Sequence, residues 1–281
     1  MIQERWVFLD GEEVASSPIS IEEFSPWALK GRGVFETMRS YEGKIFLLKE
    51  HLERFFQGLK SLKMKTAYTP AKVRTYLYQA LRSNNLSDAR IRLTAWCDNH
   101  KRVRLSVIAW PYKSPGPRQY RRGYQVSVSR QQWIAPQVHA IKSIDYWPYL
   151  KAYHAARARG FDEVILLNTH GFVAEGTRSN IFVVDKGSLC TPPLSSGCLD
   201  GVTRRGVIKM AGRLKILVLE KNLLPRQVSQ ADEIFLTNSL IGIMPVTRLR
   251  QKTIGSGVMG PVTARLLKAY REQVHRGARK P

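Results

Sequence analysis

The sequence predicts a mixed α/β (α+β) fold in two domains, on three observations. Short apolar strands alternate with amphipathic helical stretches along the whole chain. The 281 residues are enough for one to two domains with a sizeable core. One proline-dense stretch, Pro111-Tyr112-Lys113-Ser114-Pro115-Gly116-Pro117, breaks regular structure and marks a boundary. The expected division is an N-terminal α/β domain at 1–111, an interdomain linker at 112–122 and a C-terminal domain at 123–281.

The elements follow in order. Residues 5–16 alternate and turn at Asp10-Gly11, a hairpin signal. Segment 17–33, with Pro18, Pro26, Gly31 and Gly33, reads as irregular. Val34 to Arg39 and Lys44 to Leu47 read as strands joined by a turn at Glu42-Gly43. Leu48, Leu52, Phe55, Phe56, Leu59 and Leu62 recur at helical spacing and predict a helix over 48–63. Pro70 opens a second helix, with Val73, Tyr76, Leu77, Ala80 and Leu81 as its stripe. Arg90 to Trp96 and Val103 to Trp110 read as paired strands. Beyond the linker come a strand at 124–130 and a helix at 146–159. Strands at 163–168 and 180–185 follow, then a helix from Gly201 to 213 and a short strand at 216–220. The last elements are a strand ending in Thr237-Asn238-Ser239 and a helix from Pro261 to 274.

Composition narrows the function classes. With 43% hydrophobic and 24% charged residues, the chain has the balance of a soluble globular protein. No apolar run approaches the ~20 residues of a membrane span, and the N-terminus has no apolar signal region. Cys97, Cys190 and Cys198 show no CxxC spacing and the six histidines no HExxH helix, so no disulfide framework or metal site is expected. A reducing cytoplasm is the expected compartment. The net charge of +23 is spread along the chain without a nucleic-acid motif, and nucleic acid is not an expected partner.

The chemistry centres on Lys142 and, 33 residues later, Glu175 beside Gly176. A helix and an apolar strand lie between them, an order that can set an amine and a carboxylate at two ends of one cofactor. A lysine amine can form a Schiff base with pyridoxal phosphate, and a carboxylate can keep the pyridine nitrogen protonated. Gly201-Val202-Thr203 at a helix start suits an anion, through free N–H groups and one hydroxyl. Thr237-Asn238-Ser239 adds a second cluster of small donors.

Taken together, five motifs stand in the order of a known family. They are Lys142-Ser143, Gly160-Phe161-Asp162-Glu163, Glu175-Gly176-Thr177-Arg178-Ser179-Asn180, Leu199-Asp200-Gly201-Val202-Thr203-Arg204 and Phe235-Leu236-Thr237-Asn238-Ser239-Leu240. The chain resembles the class IV pyridoxal-phosphate enzymes, which include branched-chain aminotransferases, D-amino acid transaminases and 4-amino-4-deoxychorismate lyases. The resemblance implies two α/β domains with the cofactor in the cleft between them, and a homodimer. It implies Lys142 as the Schiff-base lysine and proton carrier, and Glu175 as the partner of the pyridine nitrogen. Arg54, Val202, Thr203 and Ser239 would hold the cofactor phosphate. Tyr146 would lie near the ring hydroxyl and Phe35 near the substrate, a small anionic amino-acid-like molecule.

Two departures bear on the reaction. Arg32 stands where relatives carry Asp, and an extra cation there would suit an anionic substrate. Thr237-Asn238-Ser239-Leu240-Ile241-Gly242-Ile243-Met244-Pro245-Val246 looks more like the lyase pattern than the Gly-Thr-Ala-Ala-Glu of branched-chain enzymes. Asn238 would then contact a substrate carboxylate. The expected activity is therefore aminodeoxychorismate lyase, releasing 4-aminobenzoate and pyruvate for folate synthesis. An amino-acid aminotransferase is the alternative, and a non-catalytic basic binding protein a distant one.

Overall fold

The computed structural model describes residues 6–15, 33–134 and 141–279. Residues 17–32 of the expected irregular segment, Arg32 included, lie outside these, whereas Gly33 already begins a strand. The chain separates into two compact units. The first comprises the described residues of Met1–Lys113, Ile141–Tyr146 and Arg276–Pro281; the second comprises those of Ser114–Ala140 and Trp147–His275.

This division departs from the expected one in three places, one of them the chain's end from Arg276, which groups with the first unit. Part of the expected linker is a helix, α3 in chain order (Pro117–Arg122), because Pro117 supplies a preset φ at its first position. Its Tyr120 is buried, and the hydroxyl donates to the Ile241 carbonyl at 2.7 Å. The segment Ile141–Tyr146 belongs to the first unit, not to the C-terminal domain. Backbone pairing puts it there: Phe35 N–H donates to Lys142 O at 2.9 Å and Ile144 N–H to Gly33 O at 3.0 Å.

The first unit is one antiparallel sheet with two helices. Strands β1 (Trp6–Leu9) and β2 (Glu12–Ala15) join through Asp10 and Gly11, whose φ of 53° and 96° are those of a type I′ hairpin turn. Then come β3 (Gly33–Tyr41), β4 (Lys44–Ile45), α1 (Leu48–Ser61), α2 (Pro70–Ser83), β5 (Ala89–Cys97) and β6 (Val103–Pro111). The sheet order is β2-β1-β6-β5-β3-β4. Helix α2 starts where Thr69 accepts a hydrogen bond from Lys72 N–H, with Pro70 at the first turn. Val34, Met38, Ile91, Leu93 and Val107 of the sheet share a core with Leu52, Phe55 and Leu59 of α1 and Val73, Leu77 and Leu81 of α2. The helical stripes read from the sequence are the buried faces.

The second unit carries β7 (Tyr124–Ile134), α4 (Trp147–Ala158), β8 (Glu163–Asn168), β9 (Val173–Gly176), β10 (Asn180–Asp185) and β11 (Ser188–Thr191). It continues with α5 (Val202–Arg213), β12 (Val218–Glu220), α6 (Pro225–Ser229), β13 (Glu233–Asn238), β14 (Gly242–Leu249), β15 (Lys252–Thr253) and α7 (Pro261–Arg279), of which the residues from Arg276 on are grouped with the first unit. Its sheet order is β12-β11-β10-β13-β14-β7-β8-β9, with β15 on β14. Pairing is parallel at β14/β7, β7/β8 and β11/β12 and antiparallel elsewhere. Strand β14 escaped sequence reading because Pro245 interrupts it, and proline is rare inside a central strand. Here Pro245 stands opposite Phe235, which stacks on Phe182 at 5.0 Å in the core. Among the described residues, no helix is long and apolar enough to cross a membrane.

Helix α7 is held at its start by a buried side chain from β13. Glu233 accepts from Val262 N–H at 2.9 Å and Thr263 N–H at 2.8 Å. Gly260 precedes the helix because a Cβ there would overlap the Glu233 carboxyl group. Glu233→Ala should leave two helix N–H groups without an acceptor. The expected cost is about 2 kcal/mol of unfolding free energy by urea titration; an unchanged midpoint would remove this capping role.

Candidate active site

Strand β3 sends alternate side chains to opposite faces, and chemistry sits on both. On the face against α1, Glu36 is wholly buried among apolar neighbours. A charge there needs partners, and α1 supplies them from two positions three residues apart. Arg54 forks onto the carboxylate, Nε to Oε1 and Nη2 to Oε2, both at 2.7 Å. His51 Nδ1 lies 2.8 Å from Oε2. Burial pushes the Glu36 carboxyl up, but Arg54 and the His51 hydrogen bond outweigh it and hold the pKa at about 2. Burial pushes His51 below its usual range, and Arg54 and Lys142 push the same way against Glu36. His51 is therefore neutral and donates its Nδ1 hydrogen to an ionised carboxylate; the contact is a hydrogen bond rather than an ion pair.

The opposite face of β3 carries Phe35, also buried. Ser143 bridges to Val34 and Lys142 O accepts from Phe35 N–H, and the lysine Nζ lies 4.3 Å from the Phe35 ring centre and 5.6 Å from that of Tyr146. The two rings meet edge to face at 5.4 Å. The Arg92 guanidinium from β5 lies 3.5 Å from the Phe35 ring centre. Burial, then neighbouring Arg90, bring Arg92 down to about 10. Phe35 thus has two cations within cation–π reach, and this face is electropositive.

The second unit gathers the other expected residues. Glu175 on β9 is buried, and its Oε2 accepts from Leu199 N–H at 3.0 Å and Asn180 Nδ2 at 3.3 Å. Leu199 leads into Gly201, the N-cap of α5, where a Cβ would overlap Asn180 Oδ1. Glycine is required there by that close approach. Val202 and Thr203 form the buried first turn, which holds no acidic residue and no side-chain cap. Ser239 is half-buried in the β13–β14 turn.

Two further side chains keep these turns in place. Glu163, buried on β8, accepts from Thr177 N–H, the Thr177 hydroxyl, Arg178 N–H and Ser179 Oγ, clamping the β9–β10 turn next to Glu175. Asn238 Nδ2 donates to Arg178 O at 3.0 Å, and its Oδ1 accepts from Leu240 and Ile241 N–H, both at 2.9 Å. That side chain ties two turns together, so the contact with a substrate carboxylate expected from sequence has no support in its bonding. Lys142, Arg54, Tyr146 and Phe35 thus lie in the first unit, and Glu175, Val202, Thr203, Ser239 and Asn238 in the second.

Residues 33–249 match the family model for amino-transferase class IV. The chain belongs to the class IV aminotransferases. It is 34% identical over 275 residues to a putative branched-chain-amino-acid aminotransferase of Methanocaldococcus jannaschii, covering 95% of each chain. Among solved structures, the branched-chain amino acid aminotransferase of Escherichia coli matches with a TM-score of 0.90 at 28% identity, covering 96% of this chain and 94% of that one. The branched-chain aminotransferase of Thermoproteus uzoniensis with norvaline matches with a TM-score of 0.88 at 29% identity, covering 97% and 96%.

Class IV aminotransferases depend on pyridoxal 5'-phosphate, as the resemblance implied. The residues present fit that group. In the second unit, Thr237 Oγ and Arg204 Nε are buried without a protein partner. Thr237 stands directly opposite Asn180 in the β10–β13 ladder, and Arg204 lies in the first turn of α5. Unmatched donors beside an acid-free helix N-terminus suit a phosphate.

Sequence reading passed over Glu36, His51 and Arg92. A signal for the first two was present: a carboxylate at an inward strand position, and His51 and Arg54 three apart on the helix that bears the apolar stripe. For Arg92 the alternation of β5 indicated its face but not what it would meet.

The neutral state of His51 generates a pH prediction. A histidine whose folded pKa lies below the usual 6.5 binds fewer protons folded than unfolded. Its contribution to stability is complete above that value and is lost as pH falls through the window beneath it. The unfolding free energy of the wild type should drop below pH 6.5 with a slope of up to about 1.4 kcal/mol per pH unit from this group. His51→Asn, which retains a donor toward Glu36, should show a shallower drop in thermal melts across the same window. Identical slopes would mean His51 does not titrate there.

Proposed function

We propose that this chain is an aminotransferase of the branched-chain type, moving the amino group of a branched aliphatic amino acid to a 2-oxo acid. The supporting observation is the 34% identity over 95% of both chains to the Methanocaldococcus jannaschii relative. The lyase reading rested on the string around Asn238, whose side chain is taken up by Arg178, Leu240 and Ile241. The comparisons support the transaminase alternative rather than that reading.

The residues divide the work as follows. Pyridoxal phosphate, when bound, supplies the electron sink for breaking the bond to the substrate α-hydrogen. Lys142 Nζ would hold the cofactor covalently when substrate is absent and carry the α-proton when it is present. The Phe35 and Tyr146 rings beside it keep water from the amine on those sides. Glu175 would hold the proton on the ring nitrogen, with its carboxylate oriented by Leu199 N–H and Asn180 Nδ2. Arg54, the first turn of α5 with Val202 and Thr203, and Ser239 would bind the phosphate. Tyr146 would meet the ring hydroxyl, and Phe35 would form an apolar wall for the substrate side chain. A homodimer is part of the same proposal.

The deciding assay offers leucine, isoleucine or valine with 2-oxoglutarate, and separately aminodeoxychorismate, to cofactor-loaded protein. Formation of branched 2-oxo acid without 4-aminobenzoate is the expected result; 4-aminobenzoate as the main product would restore the lyase. Lys142→Ala should lower transamination by about 10³-fold or more and Glu175→Gln by about 10²-fold. Wild-type rates in either variant would remove that residue from its role. Sedimentation at twice the chain mass is expected, and a monomer would overturn the dimer.

A further inference from the structure

Of the expected phosphate ligands, Arg54 alone reaches its place on a long side chain from the middle of a helix. Such a guanidinium has many rotamers, and fixing it costs up to about 2 kcal/mol of side-chain entropy. The structure shows it already fixed. Its Nε and Nη2 are both engaged by one carboxylate, and its side chain is only 10% exposed. A planar guanidinium held by its Nε–Nη2 edge has one orientation, and its remaining hydrogens, on Nη1 and the outer side of Nη2, face away from the carboxylate.

That fork is itself braced. Glu36 comes from β3, in the middle of a paired strand whose backbone cannot shift without breaking the ladder to β5. His51 holds Oε2 from the same helix one turn before Arg54. The carboxylate cannot rotate about its terminal bond without losing the fork or the imidazole.

We infer that Glu36, braced by His51, is the positioning residue that sets the Arg54 guanidinium for the cofactor phosphate. It touches neither cofactor nor substrate in this role. The inference rests on the proposed phosphate-binding role of Arg54, so its test separates the two. The readout is the ratio of affinities for pyridoxal 5'-phosphate and for pyridoxal, which lacks the phosphate. Both are titrated by absorbance into the full-length protein freed of cofactor. A residue acting only through general stability moves both affinities together; one acting through the phosphate moves the ratio.

Glu36→Gln replaces one acceptor oxygen by a donor and cannot complete the fork. It should weaken pyridoxal 5'-phosphate binding about 10-fold or more while changing pyridoxal binding by less than about 2-fold. Glu36→Asp retains the charge but shortens the reach; it should lower the ratio too, and it serves if the glutamine variant does not fold. Arg54→Ala is the control and should lower the ratio at least as far as Glu36→Gln, the other phosphate ligands remaining in place. A wild-type ratio in the folded Glu36 variants, with the ratio lowered in Arg54→Ala, would overturn the inference. A wild-type ratio in Arg54→Ala would overturn the phosphate role of Arg54 itself, and the inference with it.

Discussion

A carboxylate with no exposure to water, set in the apolar side of a sheet, organises the first unit around its own neutralisation. Glu36 carries a cost that no apolar residue at that position would carry. The cost is met by a bidentate arginine and a neutral histidine from one helix. That requirement fixes more than a pair of side chains. It sets the rotation of α1 about its axis, because His51 and Arg54 must face β3 together with Leu52 and Phe55. Isosteric apolar residues would pack as well; what they would lose is an arginine held still.

The second unit uses the same device with backbone partners. Glu163 clamps the β9–β10 turn, Glu233 starts α7, and Glu175 ties β9 to the approach of α5. Each of these carboxylates is buried and each accepts from backbone N–H groups that would otherwise need water. The chain has 22 acidic residues against 45 lysines and arginines. Several of its scarce acids thus lie inside, where they join elements. The remaining surface carries the surplus of cations.

What could be read in advance, and what could not, divides along the range of the interactions. The helical stripes of α1 and α2 and the Asp10-Gly11 hairpin are local patterns, and the structure has them where expected. The pairing of Lys142 with β3 depends on residues more than a hundred positions apart, and no periodicity announces it. Sequence order alone therefore groups the lysine segment with the chain that follows it, whereas its backbone bonds go to the first unit. Strand β14 was hidden by Pro245, whose lack of an N–H is tolerated at that point of the ladder. Helix α3 was hidden inside a proline-rich run, where one proline served as a helix start. The short elements β9, β11 and α6 were too brief for either period to show. The residues proposed to bind the cofactor could be named through their family likeness, whereas Glu36 and His51 could not. Their meaning lies in a three-way contact that only the packed strand and helix create.

Asn238 shows how a local resemblance can be right about the family and silent about the reaction. Its neighbours in sequence look like a lyase, and an amide at a strand end is a plausible hand for a carboxylate. Both its oxygen and its nitrogen are nevertheless committed. The oxygen accepts from two successive N–H groups, the turn-forming habit of asparagine, and the nitrogen reaches the carbonyl of Arg178. Turning this amide toward a ligand would break three hydrogen bonds and release two turns that flank Glu175 and Ser239. Such a side chain serves a substrate best by staying where it is. Asparagine at this position therefore reports how the chain holds its turns rather than which bond its substrate breaks, and an aminotransferase has as much use for it as a lyase.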